Sequence, residues 1–285
     1  MNKRIVCFGE VLFDVFPTHR SIGGAPLNVS FRLQSLGNSV DLISRIGDDY
    51  LGTEILQFIR QHHLASKNIQ IDTIHDTSEV KVTLDDLGNA SYDIVKPCAW
   101  DFIEVNTTAL EAVKASEAFI FGSLSCRSQA SKSSLLQLLP EASYKIFDVN
   151  LRAPHYQFDV VEDLMRQSDF TKFNDEELLL ICENLGQKNL VLTDAISYIA
   201  EATSTDTICV TRGANGALLY KNGSFYEHEG YKVHVADTVG AGDSFLAGII
   251  DQLLKGKTAS KALDFACKIG SLVASKKGAN PMINF

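Results

Sequence analysis

The chain has 285 residues, enough for one large α/β domain or two smaller ones, and its 45% apolar content is ample for a buried core. A net charge of −9 argues against nucleic acid or an anionic membrane as the main partner, so an anionic ligand would need locally placed donors. The six cysteines at 7, 98, 126, 182, 209 and 267 are scattered without a Cys-x-x-Cys pair, which reads as reduced structural thiols and a cytoplasmic address.

In chain order, Ile5–Phe8 is a continuous apolar run, the pattern of a strand buried on both faces. Lys3 and Arg4 before it do not open a signal peptide, because Glu10 and Asp14 interrupt the run and no cleavage-like site follows. No stretch reaches the length needed to cross a bilayer. Asp14 falls just past the carboxyl end of this strand, where α/β folds hold ligands, although a lone loop acid is more often simply solvated.

Ser21 to Gly37 combines a hinge-like Gly23-Gly24 pair, Pro26 in a first helical turn, an apolar face of Val29, Leu33 and Leu36, and Gly37 as a stop. Val40–Ile46 predicts a second strand, 47–52 a turn, and Thr53–His63 an amphipathic helix with Ile55, Phe58 and Ile59 inward. From Val80 the period drops to two. Val80, Val82 and Leu84 alternate with polar residues, Asp86–Asn89 reads as a turn, and Ala90, Tyr92 and Ile94 alternate again, so a half-apolar hairpin is expected.

Phe119–Phe121 reads as a buried strand, and Tyr144–Asp148 as another leading into Asp148-Val-Asn150-Leu-Arg152. An arginine there is suited to a phosphate or sugar hydroxyl through its two-pronged donor, or to a surface ion pair. Phe170–Asn174 ends a strand, and Asn174 to Glu177 opens a helix with acids in its first turn, ordinarily a capping arrangement. Thr207–Thr211 is a strand, and 217–220 with 224–226 form a hairpin across Asn222-Gly223. Ser260–Ser275 is a last amphipathic helix. Lys255 to Thr258 is not a phosphate loop, since Asp251 stands where the first glycine belongs and the run joins two helices.

The most informative stretch is Asp237-Thr-Val-Gly-Ala-Gly-Asp-Ser-Phe-Leu-Ala-Gly248. A glycine turn runs directly into a helix whose Phe245, Ile249 and Leu253 share one face. The first amides of a helix lack internal partners and carry partial positive charge. Gly240, Ala241 and Gly242 therefore define an anion hole. Asp243 beside it would repel an anion unless it takes a proton from an attacking hydroxyl, a pairing that points to phosphoryl transfer onto an alcohol. The plainer alternative is that Asp243 caps the helix and the glycines form an ordinary turn.

The run from Asp237 to Asp243 resembles the Asp-Thr-x-Gly-Ala-Gly-Asp signature of the PfkB/ribokinase family of sugar kinases, and Gly23-Gly24-Ala-Pro-Leu-Asn28 resembles its amino-terminal signature in the form fructokinases carry. The resemblance runs through nearly the whole chain. It implies a three-layer α/β/α ribokinase-like sandwich with a central, mostly parallel sheet, forming a single domain over 1–285. A small β-sheet lid from about 12–22 and 79–98 would close over the sugar. It implies that Asp14, Gly24, Asn28, Asn150 and Arg152 bind a sugar, with Asp243 as base. Arg152 would add positive charge to the transfer.

The family's loops imply that Thr211, Gly213, Gly216 and Gly278 lie along ATP with Gly240 and Gly242, and that Glu177 with Asn174 holds Mg²⁺ through water. Asp237 matches the residue that some members place beside a monovalent cation such as K⁺. Met282 stands where those members have a small polar residue, so that site is left open. The expected reaction is ATP-dependent phosphorylation of D-fructose at its 6-hydroxyl. The rivals are another sugar or sugar acid (ribose, 2-keto-3-deoxygluconate) or a non-catalytic sugar sensor on the same fold. Two lids can pair in this family, so a homodimer is a further expectation.

Overall fold

The computed structural model describes residues 2–16, 18–84 and 90–283. Two sheets organise them. The strands, in chain order, are β1 (Arg4–Phe8), β2 (Leu12–Val15), β3 (Arg20–Gly23), β4 (Ser39–Gly47), β5 (Ile69–Asp72), β6 (Ser78–Leu84) and β7 (Ala90–Ile94). They continue with β8 (Ala118–Gly122), β9 (Lys145–Asp148), β10 (Phe170–Asn174), β11 (Thr207–Thr211), β12 (Ala217–Lys221) and β13 (Ser224–His228). The helices are α1 (Ala25–Ser35), α2 (Tyr50–Gln61), α3 (Thr107–Lys114), α4 (Gln129–Leu138), α5 (Phe158–Arg166), α6 (Asp175–Asn184), α7 (Leu192–Thr203), α8 (Ala241–Leu254) and α9 (Ala259–Ala274).

The large sheet has nine strands in the order β13-β12-β11-β10-β9-β8-β1-β4-β5, parallel from β11 to β5, with β12 and β13 added antiparallel. Alternation along β1 shows how the layers form. Ile5 and Cys7 point into one apolar cluster with α1, α2, α8 and α9, whereas Val6 and Phe8 point into another with α3 to α7. A strand buried on both faces must read as an unbroken apolar run, as Ile5–Phe8 does. The three-layer sandwich is therefore present.

The small sheet has the order β3-β2-β6-β7, its strands supplied by two separated stretches of chain. Its hairpin registers Val80 opposite Ile94, as the alternation predicts; the predicted turn at Asp86–Asn89 lies outside the described residues. One boundary is corrected. The helix expected from Thr53 begins at Tyr50, because the Asp49 carboxylate accepts the Gly52 N–H at 2.7 Å and caps an earlier turn. The 222–223 turn is as read, with positive φ at both residues (49° and 80°) joining β12 to β13.

The chain leaves β1 toward β4 and β5, then returns to β8 on the other side and proceeds outward. At such a reversal the loops diverge and leave a crevice at the carboxyl ends of the strands. Glu10, Asp148, Asn174 and Thr211 all lie at those ends.

Candidate active site

Asp243 sits in the first turn of α8, half-buried. Its Oδ2 accepts a hydrogen bond from Asn28 Nδ2 at 2.8 Å, and Asn28 Oδ1 in turn accepts from Asn280 Nδ2 at 2.7 Å. Asn28 is buried on α1, so its amide is fixed before any ligand arrives. The turn that delivers Asp243 depends on Gly240, whose φ is 74° and whose added Cβ would lie 2.5 Å from the Ala279 carbonyl oxygen. Of the three residues expected in the anion hole, Ala241 donates its N–H to Thr238 O at 3.3 Å, so the turn already draws on that amide. Gly242 is more open: a Cβ there would meet only Lys172 Nζ, at 3.9 Å.

That lysine is the main residue sequence reasoning missed. Lys172 is buried in β10, and its Nζ binds Asp148 Oδ1 at 2.8 Å. Burial works against its charge, but Asp148, Glu177 and Asp243 outweigh burial and hold the ammonium above its ordinary pKa. A single charged residue in the apolar strand Phe170–Asn174 was the available signal. Asp148 keeps a buried Oδ2 without a hydrogen-bond partner among the described residues.

Glu10 was read only as an interruption of the first apolar run. It is buried, with Oε1 accepting the Ala25 N–H at 3.3 Å and Oε2 unpartnered. Gly24 must be glycine beside it, since φ is 105° and a Cβ would lie 2.5 Å from Glu10 O. Burial, strengthened by the Asp243 charge and opposed by Arg152, pushes Glu10 up to about 7. Burial raises Asp14 to about 6 against the pull of Arg152. Burial and the charge of Asp148 raise Asp243 to about 6, against the Asn28 hydrogen bond, Lys172 and Arg152. Arg152 itself is exposed, and among the described residues its side chain bonds only Leu151 O, at 2.9 Å, while its charge reaches all three acids. Asn150 lies in the same segment with φ 39°.

Glu177 and Asn174 form the reciprocal cap that the spacing allowed. Asn174 Oδ1 accepts the Glu177 N–H at 2.7 Å, and Glu177 Oε2 accepts the Asn174 N–H at 2.8 Å. Glu177 Oε1 also accepts the Leu151 N–H at 2.8 Å, which ties α6 to the segment carrying Arg152. Burial, partly offset by Lys172, raises the pKa of Glu177.

A cleft of about 600 Å³ opens beside the head of α8, lined among others by Asn174, Thr211, Gly213, Gly216 and Gly242 and by the apolar Val233 and Val235. Its mixture of apolar wall and glycine backbone suits a planar base with a phosphate tail. Gly278 is placed elsewhere. It lines a neighbouring groove with Arg20 and Glu54, and its N–H donates to Asp237 Oδ2 at 2.9 Å. Asp237 Oδ1 accepts the Val239 N–H at 3.0 Å, so both oxygens of Asp237 fasten backbone.

A half-buried carboxylate at the head of a helix, beside a nucleotide-sized cleft at the carboxyl edge of a parallel sheet, defines a phosphotransferase of the α/β sandwich type. Residues 2–284 match the model of the pfkB family carbohydrate kinases, and the chain belongs to that family. It is 26% identical to probable fructokinase-2 of Arabidopsis thaliana, over 98% of this chain and 92% of that protein. It is also 26% identical to a fructokinase of Escherichia coli, over 98% and 95%. A crystal structure of a double mutant of the Vibrio cholerae O395 fructokinase with fructose, ADP and potassium ion superposes with a TM-score of 0.85 at 25% identity, covering 98% of this chain and 95% of that one. The chain is thus a PfkB-family sugar kinase.

Proposed function

We propose that this kinase transfers the γ-phosphoryl group of ATP to the 6-hydroxyl of D-fructose, with Asp243 as the base. The observation that carries the chemistry is the placement of Asp243: its carboxylate is held by Asn28 at 2.8 Å while the amides at the head of α8 lie beside it. A base with a pKa of about 6 is ionised near neutrality yet basic enough to accept a hydroxyl proton as the oxygen attacks. The fructokinase relatives support the choice of sugar.

In this reading Asp14, Gly24, Asn28 and Asn150 orient the sugar so that one hydroxyl faces Asp243. Gly240, Ala241 and Gly242 frame the amides that meet the transferring group, with Lys172 and Arg152 adding positive charge. Thr211, Gly213 and Gly216 line the nucleotide. The small sheet acts as a lid that excludes water, a competing acceptor. Its edge strands β3 and β7 offer a second copy a surface for a homodimer. No helix among the described residues is long and apolar enough to cross a membrane, and a cytoplasmic location fits the free cysteines.

Among the described residues no three acidic, histidine or cysteine side chains converge as a metal cage, so Mg²⁺ would be held here through water, in an acidic surrounding. Glu10, Asp14, Asp148, Glu177 and Asp243 outnumber Lys172 and Arg152, and Asp148 presents an unpartnered buried oxygen. Glu177 with Asn174, and Asp148 beside them, would hold the ion through water, as hard, hydrated Mg²⁺ prefers. Bound there, it would neutralise charge on the nucleotide phosphates. Both oxygens of Asp237 accept backbone amides, of Val239 and Gly278, so its carboxylate fastens the loop beside which K⁺ would sit.

A coupled ADP-release assay over a sugar panel tests the reading. D-fructose should show the highest kcat/KM. Turnover of ribose or 2-keto-3-deoxygluconate without turnover of D-fructose would overturn the assignment.

A further inference from the structure

A second cavity, of about 290 Å³, lies behind the segment that carries Arg152. Its titratable walls are one-sided. Lys96, Arg127, Lys132 and His155 line it, and no carboxylate among the described residues does. The four basic side chains are not equivalent. Arg127 is spent on Asp101, at 2.8 and 2.9 Å, and its guanidinium stacks over Trp100 at 3.9 Å, so it stiffens the wall without offering free charge. Lys96 Nζ donates to the Arg127 carbonyl at 3.0 Å and forms no ion pair among the described residues. Lys132 and the His155 ring make no hydrogen bond or ion pair among the described residues.

Two further features point the same way. The N-cap of α5, Gln157, makes no side-chain capping bond, and Gln157, Val160 and Val161 line the cavity, so the amino-terminal turn of α5, which also carries Asp159, borders it. His155 is held below its ordinary pKa by burial and then by the charges of Arg127 and Lys96, which exceed the opposing pull of Asp101 and Asp93. The cavity therefore gathers Lys96, Arg127, Lys132 and His155 in a chain of net charge −9, with Asp101 paired to Arg127 and Asp159 in the first turn of α5 as counter-charges.

We infer that this cavity binds a compact anion, a phosphate- or carboxylate-bearing small molecule, through Lys96, Lys132, His155 and the amino-terminal turn of α5. Its wall is shared with the acceptor site. The His155 N–H donates to Arg152 O at 2.7 Å, and Ser123 Oγ donates to Asn150 O at 3.5 Å. An anion seated here pulls on the back of the segment whose front carries Asn150 and Arg152.

Inorganic phosphate titrated calorimetrically into the full chain, with ADP and Mg²⁺ in excess, tests the site without relying on turnover or on the identity of the sugar. The wild type should bind, and a Lys132→Gln, His155→Gln double variant should lose affinity by about tenfold or more, while Lys132→Arg keeps it. Absence of phosphate binding in the wild type, or equal binding in the double variant with an unchanged melting midpoint, would overturn the inference. Kinetics then separate the sources of the anion. A free effector changes the rate with a neutral sugar when phosphate is added. An acidic group carried on the acceptor gives a KM rise in the double variant confined to anionic sugars.

Discussion

Asn28 on α1 and Asp243 on α8 are joined side chain to side chain at 2.8 Å, across 215 residues of sequence. This contact makes one site from the two ends of the chain. Burial, then the charge of Asp148, disfavours the ionised Asp243 carboxylate, and the Asn28 amide works against that shift.

The first consequence is an acid limb. Asp243 must be ionised to accept a proton, so kcat/KM for the sugar should fall as pH drops through about 6. Asp14 titrates in the same range and Glu10 near 7, so the limb reports the cluster rather than one group. Arg152 lowers the pKa of all three acids. Arg152→Ala should therefore move the limb to higher pH. A limb that stays in place or moves down would show that this charge does not act on the base.

A second consequence concerns stability. The folded-state pKa of Asp243 is raised, so folding favours its protonated form. Stability from this group is present at low pH and is lost as pH rises through about 6. At neutral pH the ionised carboxylate then costs stability. Asp243→Asn should raise Tm by a few degrees at neutral pH, and the gain should shrink below about pH 6. A lower Tm at neutral pH would contradict this account of the site.

The turn before α8 permits a sharper substitution. At Gly240 a side chain meets both an unfavourable φ of 74° and the Ala279 carbonyl oxygen at 2.5 Å. Gly240→Ala should displace the helix head from the 279–281 loop and cut kcat/KM by about 10²-fold, the scale of an ångström-sized misplacement. Ordinary steady-state kinetics check this, and near-normal turnover would mean the amides are not positioned by this turn.

Glu177 separates a metal role from a purely structural one. Its two oxygens accept the N–H groups of Asn174 and Leu151. Glu177→Gln should raise the Mg²⁺ concentration for half-maximal rate by about tenfold, as loss of an outer-sphere partner does. A lower Tm with unaltered Mg²⁺ dependence would assign Glu177 to capping alone.

How much of this was legible depends on where each signal sits along the chain. The run Asp237–Asp243 was readable because its glycines, its carboxylate and its helix lie within one short stretch. The buried strands were readable because burial on both faces forces an unbroken apolar run. Lys172 was not, since one lysine in an apolar strand acquires meaning only when Asp148, Asp243 and Glu177 arrive from other elements. Glu10 and Asn280 were missed for the same reason: their partners, Ala25 and Asn28, are set by tertiary packing. The 229–240 segment has no period to detect, yet its Tyr231 hydroxyl binds Asp264 on α9 and it lines the cleft beside α8. The start of α2 slipped because a single side chain, Asp49, decided it.

The central claim is that Asp243 takes the acceptor proton, and single-turnover phosphorylation of D-fructose by wild type and Asp243→Asn tests it most directly. With circular dichroism showing both proteins folded, the variant should be slower by at least about 10²-fold at saturating ATP and sugar, with nucleotide binding retained. Equal rates for the two proteins would contradict the claim and remove Asp243 from the chemistry.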